Sequence, residues 1–421
     1  MRTRKDAAMR AGTATGMALV LALGMAACGG DDDSDNPPET PAATGELVIW
    51  GDVNRAEVLN QFKAQIEADL GVTVTIEEIA EDQQTTFVTA AQQGAGPDVM
   101  IGAHDWIGNL VQNGTIDPVQ LTEDQLAGFP QVAIDAVTFE GQTYGVPYAL
   151  ENLALIRNTD LAPEAPATVE ELVATGQQLQ DDGEVSEILC LQVGDQGDTY
   201  HIYPWYTSGG GYLFGTTPDG GWDPSDLGVG TDESKAAFER IRELGEAGVG
   251  ALKRSISGDN AIPMFAEGEC AFLVSGPWAV NDIKTAGINY DISPVPPFED
   301  GEPAQPFVGA QVFFVASGGE NKAVAQEFVV NYLTSPELAV ALYEIEPRPP
   351  ALTAALQQVQ GEDPDLAKFL AAAENGVPMP SIPEMAAIWG PFGTAEAAIV
   401  GGADVDEAVD AAAEAISEQI G

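Results

Sequence analysis

Short apolar runs alternate with stretches of helical period along most of this chain, and that alternation constrains its fold more than any other feature. ELVIW (46–50) has the make-up of a strand. Leu59, Phe62, Ile66 and Leu70 then recur at the spacing of one helix face, and Gly71 supplies a stop. VTVTI (72–76) alternates with period two, while DVMI (98–101), LALI (153–156), EILCL (187–191), AFLV (271–274) and QVFFVA (311–316) are apolar runs of strand length. Helix starts lie between them. Residues 168–171 (TVEE) have capping-box spacing after Pro166, and Ser335 precedes Pro336 and Glu337 as a capping residue before a first-turn proline. Phe238, Ile241 and Leu244 share one face after Asp232. Strands alternating with helices predict an α/β architecture. Residues 46–421 exceed one typical core, so two domains are expected.

The N-terminus reads differently. Arg2, Arg4, Lys5 and Arg10 precede MALVLALGMAA (17–27), an apolar run with the length of a signal h-region and too short to span a bilayer comfortably. It ends in Ala26, Ala27, Cys28 and Gly29, which resembles the bacterial lipobox. Residues 1–27 are therefore expected to be a lipoprotein signal peptide, with Cys28 as the lipidated first residue of the mature chain. An ordinary cleaved signal with an incidental cysteine is the alternative. Residues 28–45 are polar, acidic and proline-rich and suit a disordered tether. The expected location is the extracytoplasmic face of the cell membrane, held by lipid.

Sixteen Lys and Arg stand against 66 Asp and Glu, a formal net charge of −50, which makes nucleic acid and anionic lipid poor partners for the folded body. Beyond Cys28 only Cys190 and Cys270 occur, without zinc-ligand spacing. Both lie in apolar runs, so a disulfide and two buried thiols stay equally open. GxSxG, GxGxxG, HExxH and a phosphate loop ending in GK(S/T) are all missing, and the only histidines are His104 and His201. No catalytic residue, metal or cofactor is expected. A glycoside hydrolase using two carboxylates remains the rival, but with so many acids a chance pair says little.

Aromatic residues beside polar ones say more. Trp106 follows Asp105 in GAHDWIGNLVQNG (102–114). Tyr200, His201, Tyr203, Trp205 and Tyr206 cluster in DTYHIYPWYTSGGGY, and Trp278 and Trp389 stand in SGPW and AIWGPFG. Sugars offer flat C–H faces to stack on aromatics and hydroxyls to bond carboxylates and amides. Core packing is the plain alternative for each tryptophan. Asp105 equally suits an N-cap of the short helix that Gly114 stops.

Successive segments resemble, in order, the extracellular solute-binding proteins of ABC importers, specifically the maltose and maltodextrin-binding group. They include GPDVMIGAHDWIGNLVQNG, GVPYALENLALIRNTDL, LVSGPWAVNDI, INYDISPVPPF, PFVGAQVFF and MPSIPEMAAIW, and the resemblance covers nearly all of residues 46–421. It implies a two-lobed periplasmic-binding-protein-like fold of type II, with hinge crossings near residues 151, 310 and 360 and a ligand cleft between the lobes. The N-terminal lobe would comprise 46–150 with 310–357, and the C-terminal lobe 151–309 with 358–421. The implied ligand set is Asp105, Trp106, Glu151, Asp198, Tyr200, Trp278, Met379 and Trp389, with Asp52 and Arg348 as further candidates, and His104 is implied to be structural. The chain departs from the group at Gly102, where a Trp is usual, and at Trp106, where an Arg is usual. The implied function is capture of maltose, maltodextrin or a related α-glucoside by hinge closure, followed by delivery to a membrane permease with its ATPase. A monomer is expected. A binder of another sugar such as trehalose is the nearest alternative.

Overall fold

A computed structural model describes residues 45–218 and 221–421. The expected signal segment 1–27, Cys28 and all but the last residue of the expected 28–45 tether lie outside the described residues.

The described residues build two main sheets. In the larger one, Glu46–Gly51 runs parallel to both Thr73–Glu78 and Val99–Ala103, and the long strand Phe307–Ala316 pairs antiparallel with Val99–Ala103. Both faces are buried, which explains the apolar runs. Leu47, Ile49, Val99, Ile101, Phe313 and Val315 point into one core, and Trp50, Met100, Val312 and Phe314 into the other. The smaller sheet centres on Ala154–Asn158, flanked antiparallel by Phe272–Ser275 and Tyr290–Ser293. There Leu155, Phe272 and Val274 face one core, and Ala154, Ile156 and Leu273 the other. Helices cover both sheets. Val53–Leu70 carries buried Leu59 and Ile66 and ends at Gly71, whose φ of 68° is the left-handed conformation a side chain would strain. Asp232–Leu244 buries Phe238, Ile241 and Leu244.

Two elements pass between the bodies. Strand Val146–Asn152 pairs antiparallel with Phe307–Ala316, aligning Glu151 with Gly309. Val146 and Phe313 sit in the first body's core, whereas Leu153 and Phe307 sit in the second's. Later, Ala355 packs in the first body and Phe369 and Ala372 in the second.

EILCL is not a strand. Cys190 makes a single isolated bridge to Leu273. The N–H groups of Ser186 and Glu187 both turn to the carbonyl of Glu269, at 3.0 and 2.9 Å, so no ladder propagates. Cys190 is disulfide-bonded to Cys270, with Cα atoms 5.9 Å apart. The capping box at Thr168 is half formed. Its hydroxyl accepts from Glu171 N–H (3.2 Å), but the Glu171 carboxylate accepts from Ala167. Ser335 precedes helix Pro336–Ile345, yet its hydroxyl bonds Glu337 instead of capping the backbone.

Candidate functional site

A cleft of about 310 Å³ lies where the two bodies face each other, lined by Gln84, Ala103, Asp105, Trp106, Glu151, Tyr200, Trp278, Arg348, Met379 and Trp389. A larger groove of about 540 Å³ between the last two helices is lined mostly by alanine, which gives a ligand little to recognise.

The first wall follows strand Val99–Ala103. The chain leaves it through a 3₁₀ turn, His104–Trp106, and enters helix Ile107–Gln112. Asp105 caps neither start: both lack a side-chain cap. Instead the Asp105 carboxyl is buried, and its Oδ1 has no hydrogen-bond partner. Burial pushes its pKa up to about 7, against opposing hydrogen bonds from its own backbone and from Trp389. His104 turns away from the cleft. Its Nδ1 accepts from Ala310 N–H and its Nε2 lies on the Met379 carbonyl, both at 3.0 Å, so the proton sits on Nε2. Complete burial lowers its pKa to about 4, and the neutral ring ties the long strand to the segment carrying Met379.

The second wall is aromatic. Tyr200 lies on helix Thr199–Ser208, stacked on Phe307 with ring centroids 6.0 Å apart. Its hydroxyl is buried and unpartnered, and burial raises its pKa well above the ordinary value. Trp278 follows Phe272–Ser275 and lies 6.4 Å from the Tyr200 ring. Trp389 opens helix Trp389–Val400 and meets Phe307 edge-on.

A charged chain closes the cleft where the bodies join. Arg348 pairs with Glu151 and Glu346 and lies over the Trp278 ring, 5.2 Å from its centroid. Gln311 donates to the other Glu151 oxygen at 3.0 Å. Burial would raise the Glu151 pKa, but Arg348 and these hydrogen bonds outweigh it, so the carboxylate is held below its usual range.

Eight of the ten expected ligand residues line this cleft; Asp198 and Asp52 do not. Asp198 caps the helix bearing Tyr200, accepting from the N–H and Nδ1 of His201, each at 2.9 Å. Asp52 caps helix Val53–Leu70 and pairs with buried Arg55 at 2.7 Å, and Arg55 pairs also with Glu346. Gln84 and Ala103 were not expected from the sequence. Gln84 opens a polar helix, Gln83–Gln92, that carries no motif, and its amide bonds Asn109 at 3.4 Å.

The family model for bacterial extracellular solute-binding protein matches residues 57–369. The chain is 29% identical to the galactooligosaccharide-binding protein of Bacillus subtilis, over 96% of each chain. It is 25% identical to the maltooligosaccharide ABC transporter solute-binding lipoprotein of Streptococcus pneumoniae, over 91% of this chain and 90% of the other. Its structure superposes on the Thermus thermophilus maltotriose binding protein, solved with maltotriose bound, with a TM-score of 0.81 at 29% identity, covering 89% of this chain and all of that one. The architecture is accordingly the two-lobed type II binding-protein fold.

Proposed function

Because this chain belongs to the bacterial extracellular solute-binding protein family, we propose that it is the substrate-binding component of an ABC importer for a malto-oligosaccharide or a related α-glucoside. One observation carries the reading. The cleft sets three indoles and a phenol beside two buried polar atoms, Asp105 Oδ1 and Tyr200 Oη, that no protein group satisfies. Unpaired buried groups are costly, and a ligand with an apolar face and a rim of hydroxyls answers both features at once.

The site residues take the following roles. Asp105 and Glu151 accept from sugar hydroxyls, and Tyr200 donates to one. Trp106, Trp278 and Trp389 stack on ring faces. Arg348 holds Glu151 in place, and Met379 fills the apolar side. Asp198 acts from behind Tyr200, and Asp52 through Arg55. The lobes are taken as 46–150 with 310–357, and 151–309 with 358–421. A sugar that bridges them favours the closed form by its differential affinity, and the closed form delivers it to the permease. No chemistry on the sugar is involved. Cys28 is the lipid-anchored N-terminus of a monomer on the outer membrane face. This is supported by the basic start, apolar run and AAC ending, and by the word lipoprotein in the name of the streptococcal relative. Cys28→Ser should release the protein or block its processing, and normal processing with retention would refute the anchor.

A galacto-oligosaccharide is the second reading, supported by the relative matched over 96% of both chains. Titration calorimetry of the protein with maltotriose, maltose, trehalose and a galacto-oligosaccharide decides. Saturable binding, tightest for maltotriose and with the sugar recovered intact, is expected. Tighter binding of galacto-oligosaccharide transfers the assignment to the second reading. No saturable binding, or shortened products, overturns both.

A further inference from the structure

Trp106 and Trp278 face the cleft from opposite lobes, yet their local settings match. In each, a buried strand (Val99–Ala103 or Phe272–Ser275) runs into a 3₁₀ turn carrying the tryptophan (His104–Trp106 or Pro277–Ala279), and a short helix follows (Ile107–Gln112 or Val280–Ala286). Each helix is followed by a glycine in the left-handed conformation, Gly114 at φ 65° and Gly287 at φ 75°. In each, a buried glycine lies under the six-membered ring of the indole. A methyl group on Gly102 would overlap Trp106 Cζ3 and Cε3 and lie 2.8 Å from Cη2. A methyl group on Gly276 would overlap Trp278 Cζ3 and Cη2 and lie 2.5 Å from Cε3.

We infer that Gly102 and Gly276 are positioning residues, bare backbone seats that hold the two indoles flat against opposite walls and so set the gap into which a sugar ring can slide. Neither glycine has a positive φ, so neither is needed for backbone conformation. What each position requires is the absence of a side chain. Gly102 and Trp106 also work as a pair. The ring reaches back over position 102 from one turn further along, so an aromatic surface borne at 106 excludes any side chain at 102. Because a displaced indole can swing toward the open cleft, a methyl group should move the ring and leave the fold standing.

This inference rests on the cleft being a sugar site, and its test separates the two ideas. Gly102→Ala and Gly276→Ala are each compared with wild type by maltotriose calorimetry, near-ultraviolet circular dichroism and thermal melts, alone and combined with Trp106→Ala or Trp278→Ala respectively. Each glycine variant should bind roughly tenfold or more weakly, as expected when an aromatic platform is lost. Its sugar-free near-ultraviolet spectrum should change as it does when the matching indole is removed. Once that indole is gone, the added methyl should change neither affinity nor spectrum further, the non-additivity of a residue that acts through its neighbour. Unchanged affinity and spectrum in the glycine variants overturn the inference, as does an equal loss of affinity with and without the indole. If wild type binds none of the sugars, the functional reading fails instead, while the spectra of the same variants still decide whether the glycines seat the indoles.

Discussion

The buried carboxyl of Asp105, whose Oδ1 has no partner, should make sugar binding a proton-linked event. With its pKa pushed up to about 7 by burial, only about one molecule in ten is ionised at pH 6. Two sugar hydroxyls donating to the carboxylate stabilise the charged form and should return the pKa toward its usual value of about 4. Binding below pH 7 therefore releases nearly one proton. Affinity should rise about tenfold per pH unit from about pH 5 to 7, or about 1.4 kcal/mol per unit, and level off above. The sugar-free protein should show the opposite trend. A carboxyl whose folded pKa is raised contributes stability that is fully present below its unfolded pKa of about 4 and lost as pH rises through about 7. Glu151, held ionised by Arg348 and its hydrogen bonds, adds no slope in this window. Calorimetry with maltotriose across about pH 5 to 8, in two buffers of different ionisation heat, measures both affinity and proton release. Asp105→Asn should remove the slope and the buffer dependence together. A flat wild-type profile with no proton release would refute the reasoning, and so would a slope that survives in Asp105→Asn.

Three further outcomes follow from buried groups. Tyr200→Phe deletes a hydroxyl that has no partner in the sugar-free protein, so melting should hold or rise while maltotriose binding weakens by about 0.5–1.5 kcal/mol. His104→Ala should strand the Ala310 N–H and the Met379 carbonyl, a loss on the order of 2–4 kcal/mol read by urea unfolding. With the ring's pKa lowered to about 4, the stability it contributes is present above about pH 6.5 and lost as pH falls through about 4. Replacing Cys190 and Cys270 together by Ala should cost about 2–5 kcal/mol in the same assay. Two alkylatable thiols in the unfolded, unreduced wild type would show that the bridge does not form.

The central strands were legible in the sequence because they are buried on both faces, which writes them as uninterrupted apolar runs such as QVFFVA, while the partly exposed edge strand Thr73–Glu78 showed as an alternation. The same rule misread EILCL. A run can be apolar because it is buried without pairing along its length; the Cys190 backbone bonds to Phe272 and Val274 of the neighbouring strand, but the N–H groups of Ser186 and Glu187 both turn to the Glu269 carbonyl. At the site, Asp105, Glu151 and the tryptophans were legible through resemblance and through chemistry suited to sugars. Asp52 and Asp198 were expected in the cleft because an acid near a ligand segment looks the same whether it binds ligand or caps a helix. Only the fold shows that each spends its oxygens on the backbone and on a buried cationic or imidazole neighbour. Gln84 was illegible for a simpler reason. It is one amide in a polar helix, brought to Asp105 by packing between elements about twenty residues apart.

The long strand Phe307–Ala316 also dictates an order of assembly. It lies beside Val99–Ala103 within the first sheet, so that sheet cannot close until some two hundred later residues have been synthesised and the strand returns. The smaller sheet, by contrast, draws its three strands from the stretch between Ala154 and Ser293. Loop closure over long separations is slow, and contacts among nearer segments form first. The strands of the smaller sheet should therefore gain protection in pulsed hydrogen exchange before Val99–Ala103 and Phe307–Ala316 do. During that interval the first strands stand as open edges, and the heavy negative charge of the chain works against their pairing with another molecule.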